Sequence, residues 1–130
     1  MSNRVPNPVA NALKRSPSNQ RLFVVHNAAS RTLRYGETGS VQTNLGAGAA
    51  VTLTLPQNAE KGVYFRFSVM AAQELRVAPG AAGAIYISGA KQSDNKYVSF
   101  DDEAEHLTLV ADGNGDWLTV ASAGTFTVES

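Results

Sequence analysis

The residues best equipped for chemistry stand in LVADGNGDWLTV, from Leu109 to Val120. Two aspartates, two glycines and an asparagine fill five positions there, just ahead of the chain's single tryptophan. Such a run could be a calcium loop or a tight turn. An EF-hand loop starting at Asp112 needs glycine at its sixth position, for the sharp bend, and a bidentate glutamate at its twelfth. Those positions hold Trp117 and Ala123. A calcium-binding β-helix needs tandem nonapeptides, and the motif occurs once. The expectation is a hairpin turn between HLTLV and WLTVA, with glycine and asparagine taking positive φ at little steric cost.

The second candidate is DDEAEH, which holds Asp101, Asp102, Glu103, Glu105 and His106. Paired carboxylates can move protons or hold a hard cation, but either use needs a cleft and a contributor from elsewhere in the chain. The plain reading is a solvated loop before a strand. The functional reading is an acidic patch, Asp101, Asp102, Glu103 and Glu105, that receives a basic segment. His26 and His106 border strand-like runs and have no ligand-spaced neighbour. No serine sits in a Gly-x-Ser-x-Gly elbow. NLGAGAAVT has Gly-x-Gly without the third glycine, the lysine or the helix that phosphate binding requires. No catalytic residue, cofactor or metal ligand is therefore assigned, and a non-enzyme is expected.

The elements that would position these residues are short and β-like. VTLTL sets Val51, Leu53 and Leu55 on one side and two threonines on the other. In GVYFRFSVM, Val63, Phe65, Phe67 and Val69 alternate with Tyr64, Arg66 and Ser68. A period of two marks a strand with one buried face. About ten such runs, separated by turn residues at intervals of about 8–12, predict a single all-β domain over residues 21–130. The expected form is an antiparallel, jelly-roll-like β-sandwich or barrel. Residues 1–20, rich in proline, asparagine and serine, are expected to form a flexible basic arm that cannot fold alone. Within it, NPVANALKRS is a short helix candidate, capped by Asn7, that would need a partner to form.

Charge supports the same division. Residues 1–36 carry six basic residues and no acid, whereas residues 37–130 carry five basic residues against eleven acids. A positive arm beside a negative body implies an anionic partner, with Arg4, Lys14, Arg15 and Arg21 as the contacting residues. Nucleic acid is disfavoured, since the basic residues lack interleaved aromatics and the body repels phosphate. The chain has no cysteine, which removes disulfides and thiolate chemistry. No apolar run approaches the roughly 18 residues that would span a membrane, and the N-terminus has no signal-like apolar region. A protein made and kept in the cytosol is expected, unless it leaves as part of a larger particle.

The runs TNLGAGAAVTLTLPQNAEKGVYFRFSVMAAQELRVAP and HLTLVADGNGDWLTVASAGTF combine Thr/Val-rich strands, Leu-Pro, an aromatic alternating strand and a terminal Asp-Gly-x-Gly-x-Trp turn. Over about residues 40–126 this pattern resembles small structural modules of tailed bacteriophages, among them capsid decoration (cement) proteins. The resemblance implies a virion protein on the capsid surface, a homotrimer that bridges major capsid protein subunits, often through extended N-terminal arms. It carries no catalytic residues. The alternative is a phage fibre or receptor- and carbohydrate-binding module, with Tyr35, Tyr86, Tyr97 or Trp117 stacking on sugars. The absence of heptads and repeats favours the decoration protein.

Overall fold

The computed structural model describes residues 23–130. The basic arm, with Arg4, Lys14, Arg15 and Arg21 and the helix candidate after Asn7, lies outside the described residues. Twelve strands occupy the runs of alternating sequence: β1 (Val24–His26), β2 (Arg31–Thr32), β3 (Val41–Thr43), β4 (Val51–Thr54), β5 (Tyr64–Ser68) and β6 (Leu75–Ala78). They are followed by β7 (Ile85–Ile87), β8 (Ala90–Lys91), β9 (Val98–Phe100), β10 (His106–Ala111), β11 (Trp117–Ala123) and β12 (Thr127–Val128). A 3-10 turn at Tyr35–Glu37 is the one helical element among the described residues.

The strands form a seven-stranded sheet, in the order β1-β3-β5-β10-β11-β7-β8, and a five-stranded sheet, in the order β12-β9-β6-β4-β2. Alternation dictates which side chains lie between them. Phe65, Phe67, Leu107, Leu109 and Trp117 from the larger sheet meet Leu53, Leu55, Leu75, Val77 and Phe100 from the smaller in one apolar cluster. Phe65 tilts against Phe67 and Trp117 with ring centroids 6.3 and 6.0 Å apart, the range of favourable aromatic pairs. The all-β sandwich expected from the periodicity is present, and neither sheet closes into a barrel.

The strand directions correct one expectation. The sheets are mixed, with β1, β3 and β5 parallel to one another, β2, β4 and β6 likewise, and β7 parallel to β11. The cause is the path of the chain. From β1 to β7, successive strands fall alternately in the larger and the smaller sheet. Each return to a sheet has passed through the opposite one, so the new strand runs in the same direction as its neighbour. A crossover usually made by a helix is made here by a strand.

The winding is pinned by buried polar side chains. Asn44, wholly buried, accepts from the Met70 and Ala71 amides at 2.8 and 2.9 Å and donates to the Ala71 and Gln73 carbonyls. Asn27 donates to Gln42 Oε1 and to the Thr43 carbonyl. Arg31 then donates to Asn27 Oδ1, to Gln42 Oε1 and to both oxygens of Glu37. The Arg31 guanidinium, through its hydrogen bonds, holds the Glu37 carboxyl below its ordinary value against the opposing effect of burial. Arg31, counted among the N-terminal positive charges, is thus already engaged inside the fold.

Candidate interaction surfaces

Strand register resolves the outer face of the larger sheet into three rows. Tyr64, Val110, Leu118, Tyr86 and Lys91 lie side by side across β5, β10, β11, β7 and β8. The next row is Val24, Val41, Arg66, Thr108 and Ala121, and the third is His26, Thr43, Ser68, His106 and Ala123. A β-bulge opposite Thr108 and Leu109 inserts Val120 between Thr119 and Ala121. Val120 is 59% exposed, and Tyr64 and Leu118 are 41% and 39% exposed. The first row is therefore an apolar and aromatic stripe open to solvent. The outer face of the smaller sheet is different, with Thr127, Ser99, Arg76 and Thr52 in one row and Thr32, Thr54 and Ala78 in another. Arg76 there stacks over Tyr97, 4.9 Å from the ring centre. The smaller sheet thus has a polar outer face, whereas the larger carries one mainly apolar row beside two mixed rows, and exposed apolar patches mark contact surfaces.

The Asp112–Asp116 loop is the hairpin turn expected, joining antiparallel β10 and β11. Asp112 Oδ1 accepts from the Asn114 and Asp116 amides at 2.7 and 3.1 Å, and the Asp112 amide donates to the Asp116 carbonyl. The positive φ falls on Gly113 and Gly115, at 86° and 96°, and not on Asn114. Asp116 faces away from the turn. Its Oδ1 accepts the Ala84 amide at 3.0 Å, and its Oδ2 lies 3.3 Å from Lys91 Nζ. Gly83 presses against this junction so closely that an added Cβ would stand 2.4 Å from the Gly115 carbonyl oxygen.

The acidic loop folds around Glu105. One carboxylate oxygen accepts from the Asp101 and Asp102 amides at 3.2 and 3.0 Å, and the other accepts from Thr125 at 2.7 Å. Burial works to raise the Glu105 pKa, but the three amides, Thr125 foremost, outweigh it and hold the carboxyl below its ordinary value. Asp101, Asp102 and Glu103 are exposed. Carboxylate oxygens of Asp101, Asp102 and Glu105 lie within 4.8 Å of one another, beside a cleft of about 490 Å³ that Glu74 and Phe100 also line. Since Glu105 is engaged by backbone donors, Asp101 and Asp102 are the members free to meet a cation. Glu74, at the far side, is held low first by its hydrogen bond from Arg76, 2.9 Å away. A general acid needs a carboxyl raised toward neutrality, and Glu37, Glu74 and Glu105 are shifted the other way.

The remaining candidates are separated by the fold. His26 Nδ1 is 2.7 Å from Thr43 Oγ1, while His106 is two strands beyond Thr43 in the same row. Gly46 and Gly48 lie in the loop before β4, with no helix following them. Trp117 is 2% exposed and forms part of the core, which removes it from any sugar-stacking role. Tyr97 lies beneath Arg76, and Tyr86, half-buried, has Lys91 Nζ 6.0 Å from its ring centre, leaving Tyr35 as the most open of the candidate rings. The apolar stripe is not legible in the sequence, because Leu118 and Val120 look like the buried residues of WLTVA. Trp117 takes the inward position and turns them outward. No protein-family profile matches the chain, and no curated protein matches it in sequence.

Proposed function

We propose that this chain is a non-enzymatic structural protein of a tailed-phage virion. It binds the outside of the capsid and clamps neighbouring major capsid protein subunits, as a homotrimer. The observation that carries the reading is an asymmetry of surface and charge. The described domain exposes an apolar stripe on one face only. It also bears seven basic residues against eleven acids, a balance of minus four, whereas residues 1–22 hold four basic residues and no acid. Apolar burial supplies most interface energy, while opposed charges set approach and register. In this reading Arg4, Lys14, Arg15 and Arg21 contact acidic surface on the shell or on a sister subunit. Asp101, Asp102 and Glu103 provide such a surface on each copy.

Two measurements test the reading. Light scattering of the isolated protein should return three times the mass of the 13.7 kDa chain. Sedimentation with empty tailed-phage heads from the same source should recover the full chain with the heads. A chain lacking residues 1–20 should stay folded and sediment much less. A strict monomer, or unchanged occupancy after the deletion, would overturn the trimer or the role of the arm respectively. Binding to glycans without affinity for capsids would favour the receptor-binding alternative.

A further inference from the structure

The Asp112–Asp116 turn plays no part in the proposed clamp, yet it contains Asn114, the one asparagine of the chain that precedes a glycine. Asparagine is a thermolabile residue, and its reactivity depends on the backbone nitrogen that follows it. That nitrogen can attack the side-chain carbonyl carbon and expel ammonia, closing a cyclic succinimide. Glycine in the following position favours the attack, because it has no Cβ to crowd the nitrogen and its backbone turns freely.

The fold leaves both reacting groups open. Asn114 is exposed at the tip of the turn, and its side-chain amide makes no hydrogen bond among the described residues. Asp112 Oδ1 takes the Asn114 and Asp116 amides, on either side of Gly115. The Gly115 amide itself has no acceptor among the described residues. The other described asparagines each lack a condition. Asn27 and Asn44 are buried, and their side-chain amides donate within the fold. Asn58 and Asn95 are exposed, but Ala59 and Lys96 follow them, each with a Cβ beside the nitrogen. Asp112 also precedes a glycine, but its Oδ1 is held by two amides and it has no amine to expel.

We propose that Asn114 is a site of spontaneous, enzyme-free deamidation in the folded protein. Solvent base takes the Gly115 amide proton, the nitrogen forms a bond to Asn114 Cγ, and the side-chain NH2 leaves as ammonia. Water then opens the ring. Hydrolysis at Cγ leaves an aspartyl residue on the original backbone. Hydrolysis at the backbone carbonyl leaves an isoaspartyl residue, whose chain runs through Cβ and Cγ and is one atom longer. Both products add a negative charge beside Asp112 and Asp116, but only the longer one disturbs the packing. Gly83 lies so close that its added Cβ would stand 2.4 Å from the Gly115 carbonyl oxygen, so an extra backbone atom at position 114 must shift one loop against the other. The contacts of Asp116 with the Ala84 amide and Lys91 cross that junction and weaken with it. The turn thus ages in the absence of any enzyme, and its isoaspartyl form loosens the β7–β8 edge of the larger sheet.

The isolated full-length chain suffices for the test, so its outcome is independent of the virion reading. Folded protein is held at pH 7 and pH 9 and digested, and the peptide containing Asn114 is followed by mass spectrometry, which reads the exchange of NH2 for OH. An isoaspartyl-specific methyltransferase then marks the longer product. Position 114 should convert faster than Asn58 and Asn95, and faster at pH 9 because the attacking nitrogen must lose its proton. Asn114→Gln should keep the β spectrum and lack the product. Hydrogen exchange at the Ala84 amide should quicken in the isoaspartyl fraction and stay unchanged in Asn114→Asp. An Asn114 that persists in the folded chain but converts in urea would overturn the proposal, because the fold would then shield it. Conversion no faster than at Asn58 or Asn95 would overturn it as well. Native exchange at Ala84 in the isoaspartyl fraction would overturn the effect on the junction.

Discussion

Glu105→Gln replaces one heavy atom in the acidic loop and should destabilise the protein measurably. The carboxylate accepts on both sides, from Asp101 and Asp102 at one oxygen and from Thr125 at the other. The amide of glutamine accepts on one side only, so either orientation points an NH2 group at a backbone donor. Hydrogen bonds to charged groups contribute about 1.5–3 kcal/mol when sheltered, and these three lie near solvent, which lowers their worth. Losing one side and setting donor against donor should cost roughly 2 kcal/mol, a fall in melting temperature of about 6–10 °C for a domain of this size.

The pH dependence follows from the direction of the shift. Because the folded pKa of Glu105 lies below its ordinary value, its contribution is complete above about pH 4.5 and fades as pH falls through the folded pKa. Once protonated, the glutamic acid resembles the glutamine. Urea unfolding of both proteins, from pH 7 down to the lowest pH at which both remain folded, should give a stability gap that narrows with acid. Equal stabilities at pH 7, or a gap independent of pH, would refute the assignment of Glu105 as an ionised acceptor for the loop.

Three further outcomes are expected. Asn44→Asp should cost about 3 kcal/mol or more by thermal or chemical melting, since a carboxylate would face the Ala71 and Gln73 carbonyls that the amide now serves. Gly83→Ala should lower stability by roughly 2–3 kcal/mol, because its Cβ would stand 2.4 Å from the Gly115 carbonyl oxygen and 3.0 Å from that of Pro79. A variant equal to wild type would mean the two loops part easily. Asp116→Ala should speed hydrogen exchange at the Ala84 amide, which loses its acceptor, while the exchange of Leu109, deep in β10, changes little.

The strands were legible because burial imposes a period of two on the backbone. VTLTL and GVYFRFSVM turned inward the residues that their alternation named, with Leu53, Phe65 and Phe67 fully enclosed and Val63 partly buried. Pairing was not legible in the same way. Neighbours such as β3 and β5 are separated by a strand of the opposite sheet, and nothing local in Val41–Thr43 encodes its parallel partner. The Asp-Gly-Asn-Gly-Asp turn could be read from failed metal positions and turn chemistry. The role of Asp116 could not, because its partners Ala84 and Lys91 come from a distant loop and strand. In the sequence Glu105 is one charge among several in an acidic patch. Its work as an acceptor depends on Thr125, twenty residues away, which only the packing of β10 against β11 brings near.

The winding of the chain also determines how the domain would respond to force. β1 and β2 belong to the first turn of the winding and are edge strands at the same end of the sandwich, each paired on one side only. A load applied through the N-terminal segment meets the three-residue ladder of β1 against β3 first, and the two-residue ladder of β2 against β4 next. The turns would peel off in sequence order, from the outside inward, before tension reached β5 and β10. A domain loaded by that end would yield in steps and lengthen while its central strands remained folded, behaving as a short extensible tether.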